Sequence, residues 1–195
     1  MALLAGLLAF YQSAYWSWSL HSKSVMESVE RSIDYIIDPR NIDPATGEVG
    51  RVASLNLWRQ DPHADAGTRI LGYGVGASRS RSSISIGEVA KRYTPLDISS
   101  TTVSALLWDV GVLGLAVFCA ILLLAAIQGF RLAKRPGIPV FHHACLKTSA
   151  IALCLMLTMV PYNRYMVDQA SVQFLMMFCL GQIAFWRRLQ GGSSS

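Results

Sequence analysis

The sequence predicts an all-α integral membrane protein, in which about four transmembrane helices accompany one large loop that carries short helices. Two observations support this fold class. Hydrophobic residues make up 52% of the 195 residues and charged residues only 15%, which is more apolar than an average soluble domain. Several nearly uncharged stretches are also long enough to cross a bilayer, and a polar stretch rich in arginine separates the first from the others.

The predicted membrane segments follow the uncharged stretches in chain order. We predict transmembrane helices over residues 1–20, 103–129, 145–160 and 170–186, joined by a large loop over 21–102, a basic loop over 130–144 and a short turn over 161–169, with a tail over 187–195. The first segment ends in an aromatic group that includes Tyr15, Trp16 and Trp18, as is typical of a membrane–water interface. A cleaved signal peptide is the alternative, but no basic residue precedes the apolar stretch, so we favour a retained helix.

The positive charges indicate how the chain is oriented in the membrane. The net charge is +5, and cations concentrate between Arg131 and Lys147 and again at Arg187 and Arg188. Short connections rich in lysine and arginine stay on the cytoplasmic side. We therefore expect both chain ends in the cytoplasm and the large loop on the other side. Because membrane orientation accounts for these cations, we expect no nucleic acid as a partner.

The sequence contains no pattern of metal ligands, so we expect neither a metal ion nor another cofactor. The four cysteines lie in or beside predicted membrane segments and lack metal-ligand spacing. Asp61, His63 and Asp65 supply too few ligands for a zinc or magnesium site. An Asp-x-Asp pair, which is typical of enzymes that use metal-bound nucleotide sugars, does not occur in the chain.

Short helices are predicted inside the large loop. Ser24 and Glu27 form a capping-box pattern, and apolar residues then recur at helical spacing as far as Ile37. This amphipathic helix is suited to lie on the membrane or against a partner. After two Asp-Pro turns, a second helix is predicted from Arg51 to Arg59.

Arginine dominates the cations, with thirteen arginines against four lysines. A guanidinium offers forked donors that match phosphate and carboxylate oxygens, so we expect the loop to bind an anionic, lipid-borne substrate. Arg51 and Arg59 lie about 80° apart around a helix, near enough to clamp one diphosphate. The alternative is a solvated face on which the two arginines pair with Glu48 or Asp61.

A glycine run extends from Gly72 to Gly76. It lacks the strand and helix of a nucleotide-binding fold, so we reject that interpretation. The run predicts a tight backbone path that brings Arg79 and Arg81 towards the substrate. The alternative is a flexible hairpin.

Two charged residues lie on the outer side of the predicted membrane segments, Asp109 at the outer end of the second segment and Arg164 in the short turn. Asp109 either orients an arginine or helps to build an acceptor site, because a carboxylate near hydrocarbon needs water or a partner. The alternative is an interfacial residue that reaches lipid head groups. Arg164 either pairs with Asp168, four residues later, or joins the other arginines, and we favour the local pair.

These elements occur in an order that resembles a known superfamily. The order is Gly50-Arg51, Trp58, Gly72-Tyr-Gly-Val-Gly76 and then the run from Leu106 to Leu115, which contains Asp109 and enters a predicted membrane segment. This part of the chain, from Gly50 to Phe118, resembles the large outer loop and following helix of the O-antigen ligase and polysaccharide polymerase superfamily. Members have many more spans than four, so the resemblance implies that the chain corresponds to the C-terminal portion of such an enzyme.

The resemblance implies a GT-C-like membrane glycosyltransferase that needs no metal. Its donor would be an undecaprenyl-diphosphate-linked glycan and its acceptor another glycan of O-antigen, capsule or exopolysaccharide, on the periplasmic side of the bacterial inner membrane. Arg51 matches the family's helix arginine, which engages the lipid diphosphate. The further candidates for diphosphate binding are Arg59, Arg69, Arg79 and Arg81, and the candidates for the catalytic base are Asp97 and Asp109.

One departure from the family pattern affects the base. Ligases of the family carry His-Asn about nine residues before the acidic residue, where this chain has Ser100-Thr101. A serine of ordinary pKa is a poor base, so the departure favours a polymerase. The alternative from another functional class is a non-catalytic membrane subunit that binds other polysaccharide-assembly or export proteins through its loop.

Overall fold

The structure is a computed structural model that describes residues 33–43, 45–80, 85–135 and 138–191. The first predicted transmembrane helix, the start of the amphipathic helix at Ser24 and the candidate residue Arg81 lie outside the described residues. The described part of the chain is mostly helical and contains no β-strand. The prediction of an all-α protein is therefore confirmed for these residues.

Seven helices cover most of the described chain after Gly50. They are α1 (Arg51–Gln60), α2 (Ala66–Leu71), α3 (Glu88–Arg92), α4 (Thr102–Leu132), α5 (Val140–Met159), α6 (Tyr165–Asp168) and α7 (Ala170–Gly191). Residues 33–37 form a further helical segment. The helix predicted from Arg51 to Arg59 is present as α1, and the apolar stretches predicted at 103–129 and 145–160 correspond to α4 and α5.

Among the described residues, α4 and α5 are the two helices that are long and apolar enough to cross a membrane. α4 has 31 residues and α5 has 20, and a bilayer core needs about 20. α7 has 22 residues but is less apolar, because Gln173 and Gln182 interrupt its apolar residues and two arginines follow them at its end. Of the four predicted spans, two correspond to described helices that are long and apolar enough to cross a membrane.

α4, α5 and α7 pack against one another around an apolar core. The core includes Leu122 and Ala126 of α4, Leu146, Leu153 and Met156 of α5, and Met176, Cys179 and Ile183 of α7. Gly129 lets the helices approach closely, because a Cβ atom on it would lie 3.0 Å from side-chain atoms of both Ala150 and Ile183. Ser149 donates a hydrogen bond of 2.6 Å to Gln182 between α5 and α7. These three helices thus form one bundle.

Large apolar side chains also cover the outside of this bundle. At least half of the residue surface is exposed at Leu113, Val117, Ile121, Leu123 and Leu124 of α4, at Ile151 and Leu155 of α5, and at Phe174, Met177, Phe178 and Phe185 of α7. On a soluble monomer, an apolar patch of this kind marks an interaction site. The outside of the bundle is therefore suited to contact lipid or a protein partner.

The residues that precede the bundle form a second, smaller core around Trp108. This side chain is fully buried, and the rings of Tyr73 and Tyr93 lie 6.0 and 5.6 Å from it, measured between centroids. The other buried apolar residues of this core are Ala77, Val89 and Ile98. Because Trp108 belongs to α4, the start of that helix is part of the same core. We call the described residues from 33 to 110 the outer region.

Candidate functional site

α4 is broken at Gly111, and the outer region is attached to the helix at this break. Gly111 has a φ of 68° and a ψ of −172°, which lies outside the helical range. Two carbonyl groups just before it accept hydrogen bonds from outside α4. The carbonyl of Leu107 accepts the indole N–H of Trp58 at 3.1 Å, and the carbonyl of Trp108 accepts the amide of Tyr73 at 2.8 Å.

Asp109 holds the glycine run through both its backbone and its side chain. Its carbonyl accepts the amide of Gly74 at 2.9 Å, and its carboxylate accepts the amides of Gly76 at 2.8 Å and Ser78 at 2.9 Å. Asp109 is only 9% exposed, and charge-assisted bonds of this type stabilise a buried carboxylate. Sequence reasoning did not predict this structural role. The feature of the sequence that points to this role is the glycine run, because its backbone amides need hydrogen-bond acceptors.

Close contact between two backbones explains why both segments contain glycine. Gly72 has a φ of +78°, and a Cβ atom on it would lie 2.4 Å from the carbonyl oxygen of Asp109. A Cβ atom on Gly111 would lie 2.3 Å from the carbonyl oxygen of Ile70. Real Cβ atoms do not approach a carbonyl oxygen so closely. These glycines therefore allow the outer region to dock on α4.

Asp61 is the centre of a second set of hydrogen bonds in the outer region. It is 3% exposed and accepts the hydroxyls of Tyr73 at 2.5 Å and Tyr93 at 3.0 Å and the amide of His63 at 3.2 Å. Burial raises the pKa of the Asp61 carboxyl, but the hydrogen bonds outweigh burial and hold this pKa below its ordinary value of 3.8. Burial and the bond to Asp61 raise the pKa of Tyr73 to about 12.

Arg51 begins α1 and lies against two tyrosines. Its guanidinium carbon is 3.9 Å from the ring centroid of Tyr162 and 5.8 Å from that of Tyr35. A guanidinium stacked on an aromatic face still presents N–H donors at its edge. Gly50, the preceding residue, has no side chain to cap the helix, so the positive end of α1 adds to the charge of Arg51. Tyr162 is 54% exposed, which places this positive charge near the surface.

Arg164 follows Tyr162 by two residues and binds the segment that leads into α4. It pairs with Asp168 at 2.8 Å, which confirms the local pair predicted from the spacing. It also lies 3.6 Å from Asp97, and it donates to both the hydroxyl and the carbonyl of Ser99, the latter at 3.2 Å. We call the group formed by Arg51, Asp97, Tyr162 and Arg164 the outer cluster.

Asp97 is the acidic member of the outer cluster. Its carboxylate accepts the hydroxyl of Ser80 at 2.7 Å. Its amide donates to the carbonyl of Gly47 at 2.8 Å, and an isolated parallel bridge joins it to Glu48. Backbone contacts therefore fix the position of Asp97, while 26% of its side chain stays exposed.

Two other candidate arginines lie at the far end of α1. Arg59 is eight residues after Arg51, which corresponds to about 12 Å along a helix axis. Arg69 donates to the carbonyl of Arg59 at 3.0 Å, and its guanidinium carbon lies 5.6 Å from the ring centroid of Trp58. Arg79 is exposed. In the described structure, the predicted diphosphate-binding arginines are therefore spread along the outer region, and Arg51 is the one in the outer cluster.

The outer cluster combines two contacts, that of the Arg51 guanidinium with the ring of Tyr162 and that of the Arg164 guanidinium with the carboxylate of Asp97. Such a combination can bind an anion and orient a hydroxyl group next to it. Among the described residues, no group of three or more His, Cys, Asp or Glu side chains is arranged to hold a metal ion. No protein-family model, curated protein or solved structure matches this chain.

Proposed function

We propose that the chain belongs to a membrane glycosyltransferase that polymerises or ligates undecaprenyl-diphosphate-linked glycans on the periplasmic side of the bacterial inner membrane. α4 and α5 support the membrane part of this proposal, because both are long and apolar enough to cross a bilayer. The glycosyltransferase part of the proposal is supported by contacts among the residues on which the family resemblance depends. Trp58 and the run from Gly72 to Gly76 both hydrogen-bond to α4 between Leu107 and Asp109.

The position of Arg51 is the observation that carries the proposal. A helix N-terminus and a guanidinium at the same place form an anion-binding site. The guanidinium of Arg51 offers forked donors, and these suit the oxygens of a lipid diphosphate. As the diphosphate leaves the sugar, these charges would stabilise the negative charge that develops on it.

The transfer also needs a group that accepts a proton. The acceptor hydroxyl attacks the anomeric carbon of the donor, the bond from that carbon to the diphosphate oxygen breaks, and a base takes the hydroxyl proton. Asp97 is the favoured base, because it lies in the outer cluster with part of its side chain exposed. Asp109 is less suited, because both of its carboxylate oxygens accept backbone amides.

A second candidate function is a non-catalytic membrane subunit that binds other polysaccharide-assembly proteins. The contact between Arg59 and Arg69 favours it, because this pair lies at the opposite end of α1 from Arg51. Charged residues spread along a surface steer and orient a protein partner of complementary charge. This alternative predicts that single arginine substitutions have mild effects and that a protein partner co-purifies.

Replacing Arg51 in cells of the source bacterium tests the enzymatic proposal. We expect Arg51→Ala to abolish the polymeric or ligated glycan while the chain still accumulates in the membrane, because the leaving diphosphate loses its charged partner. Removing one such donor lowers kcat about 10²–10³-fold in characterised enzymes. Mass spectrometry of extracted lipids measures the undecaprenyl-linked glycans, and immunoblotting of membranes measures the chain.

The lipid that accumulates identifies the reaction. Single repeat units on the lipid would indicate a polymerase, and long lipid-linked chains would indicate a ligase. Lys91→Ala is the matched control, because it removes one exposed cation of α3 in the same outer region. An unchanged lipid pool in Arg51→Ala would contradict glycosyl transfer and favour the docking subunit.

A further inference from the structure

A basic cleft lies at the end of the bundle opposite to the outer cluster. It has a volume of about 370 Å³ and is lined by Gln128, Arg131, Leu132, Arg135 and Arg187. We call it the inner cleft. Its volume falls within the range of small-molecule sites, which is about 300–1,000 Å³. The inner cleft therefore has room for a charged head group.

Three guanidiniums line this cleft without a nearby carboxylate in the described bundle. The sequence contains no Asp or Glu between Asp109 and Asp168, and none after Asp168. Asp168 pairs with Arg164 at the other end of the bundle. One of the three, Arg135, donates to the side-chain oxygen of Gln190 at 3.3 Å, which fixes its direction. Like charges around one cleft repel each other, so a bound anion would stabilise this arrangement.

The surface around these helix ends is apolar and aromatic. Phe141 and Phe185 are 72% and 59% exposed, and the rings of His142 and Trp186 lie 4.7 Å apart, measured between centroids. Aromatic side chains at the ends of apolar helices are typical of the level of lipid head groups. Lipid phosphates lie at this level of a membrane, and basic pockets between membrane helices bind such head groups.

We propose that the inner cleft binds the phosphate head group of an anionic membrane lipid. The three guanidiniums supply forked donors for the phosphate oxygens, and the apolar helix surfaces contact the acyl chains. This inference rests on the membrane location in the proposed function but not on glycosyl transfer. The result of the Arg51→Ala experiment therefore does not affect it.

Lipid retention by the purified full chain tests the inference. The chain is reconstituted into nanodiscs of phosphatidylcholine and phosphatidylglycerol, and native mass spectrometry measures the lipids that remain bound after release. We expect the wild-type chain to retain phosphatidylglycerol in preference to phosphatidylcholine. The triple variant Arg131→Gln, Arg135→Gln, Arg187→Gln should lose this retention by about 10-fold or more.

A matched variant distinguishes lipid binding in the cleft from attraction of the lipid to positive charge elsewhere at this end of the bundle. Lys134→Gln, Lys147→Gln, Arg188→Gln removes three exposed cations from the same end of the bundle without changing the residues that line the cleft, and it should retain phosphatidylglycerol like the wild type. Circular dichroism should show equal helix content in both triple variants. Equal loss in the two variants, or no preference in the wild type, would overturn the inference.

Competition with inorganic phosphate identifies the source of the anion. We expect excess inorganic phosphate to leave phosphatidylglycerol bound, because the acyl chains contribute to its retention. Complete displacement would overturn the assignment to a lipid and indicate a soluble phosphate compound. A chain that does not enter nanodiscs at all would overturn the membrane location, and this inference with it.

Discussion

Two carboxylates of the outer region are buried among the described residues, and each stabilises a different contact. Asp61 accepts hydroxyl groups of Tyr73 and Tyr93, whereas Asp109 accepts backbone amides of the glycine run. The sequence drew attention to both acids but not to these partners, which lie between 12 and 33 residues away along the chain. Hydrogen bonds over such separations follow from the fold and leave no local pattern.

At the residue scale, we expect Asp61 to make the folded chain less stable in acid. Its folded pKa lies below its ordinary value of 3.8, so the unfolded chain binds the proton first as the pH falls. The stabilisation is complete above the ordinary pKa and is lost as the pH falls through the folded pKa. Asp61→Asn should lower the free energy of unfolding by about 2 kcal/mol at neutral pH and weaken this acid dependence. Thermal unfolding in detergent across the acid range measures both.

Asp34→Asn is the control for this experiment, because Asp34 is exposed in the helical segment 33–37. It should unfold like the wild type at every pH. If Asp61→Asn kept the full acid dependence of the wild type, other carboxylates would be its source and the assigned role of Asp61 would be wrong.

At the element scale, α4 shows what a single sequence can and cannot reveal. Its apolar run predicted a long helix, and the helix extends from Thr102 to Leu132. The break at Gly111 was not predicted, because one glycine in a helix costs only about 1 kcal/mol and the surrounding residues remain apolar. The partner that makes the break favourable is the glycine run, which lies more than 30 residues earlier. Only the folded structure brings the two segments together.

The break at Gly111 makes this glycine irreplaceable. Gly111→Ala forces a side chain into a positive-φ, extended-ψ conformation that is essentially restricted to glycine, which costs about 1–3 kcal/mol, and its Cβ atom would meet the carbonyl oxygen of Ile70 at 2.3 Å. We expect the glycine run to detach from α4. Hydrogen–deuterium exchange should then become faster at the amides of Tyr73 and Gly74, which donate to α4 in the wild type.

Gly181→Ala is the matched control, because a Cβ atom on this glycine of α7 would meet no atom within 4 Å. In the Gly181→Ala variant, hydrogen–deuterium exchange at the amides of the glycine run should equal that of the wild type. Unchanged amide exchange in Gly111→Ala would mean that the glycine run stays attached to α4 without the break at Gly111.

At the scale of the whole molecule, charge separates the two ends of the bundle. The outer cluster combines arginines with a carboxylate, whereas the inner cleft is lined by arginines. Apolar helices lie between these ends. The sequence predicted the helical class and the apolar segments α4 and α5 from composition and length. The span predicted over 170–186 corresponds to α7, whose glutamines make it less apolar, and Gln182 accepts a hydrogen bond from Ser149 of α5.

The apolar outside of the bundle predicts where a charge is not tolerated. Ile121 lies in the middle of the apolar part of α4 and is 50% exposed. Ile121→Arg should reduce the fraction of the chain that stays in membranes after alkaline carbonate extraction, because an arginine at the centre of a transmembrane helix costs about 2.5–3.5 kcal/mol. Val140→Arg, at the first residue of α5, should be retained like the wild type, since an arginine there reaches water. Equal retention of the two variants would contradict a lipid-facing surface at Ile121.

The break in α4 also sets the limits of an independent fragment. Residues before Gly111 complete the core of the outer region through Trp108, while Leu122 and Ala126 belong to the core of the bundle. The division between the two parts therefore falls inside a helix and not at the junction where the helix begins. A fragment that stopped before Thr102 would leave Tyr73 and Tyr93 without the indole on which they pack. The shortest piece that keeps this core intact must extend into α4 as far as the broken turn.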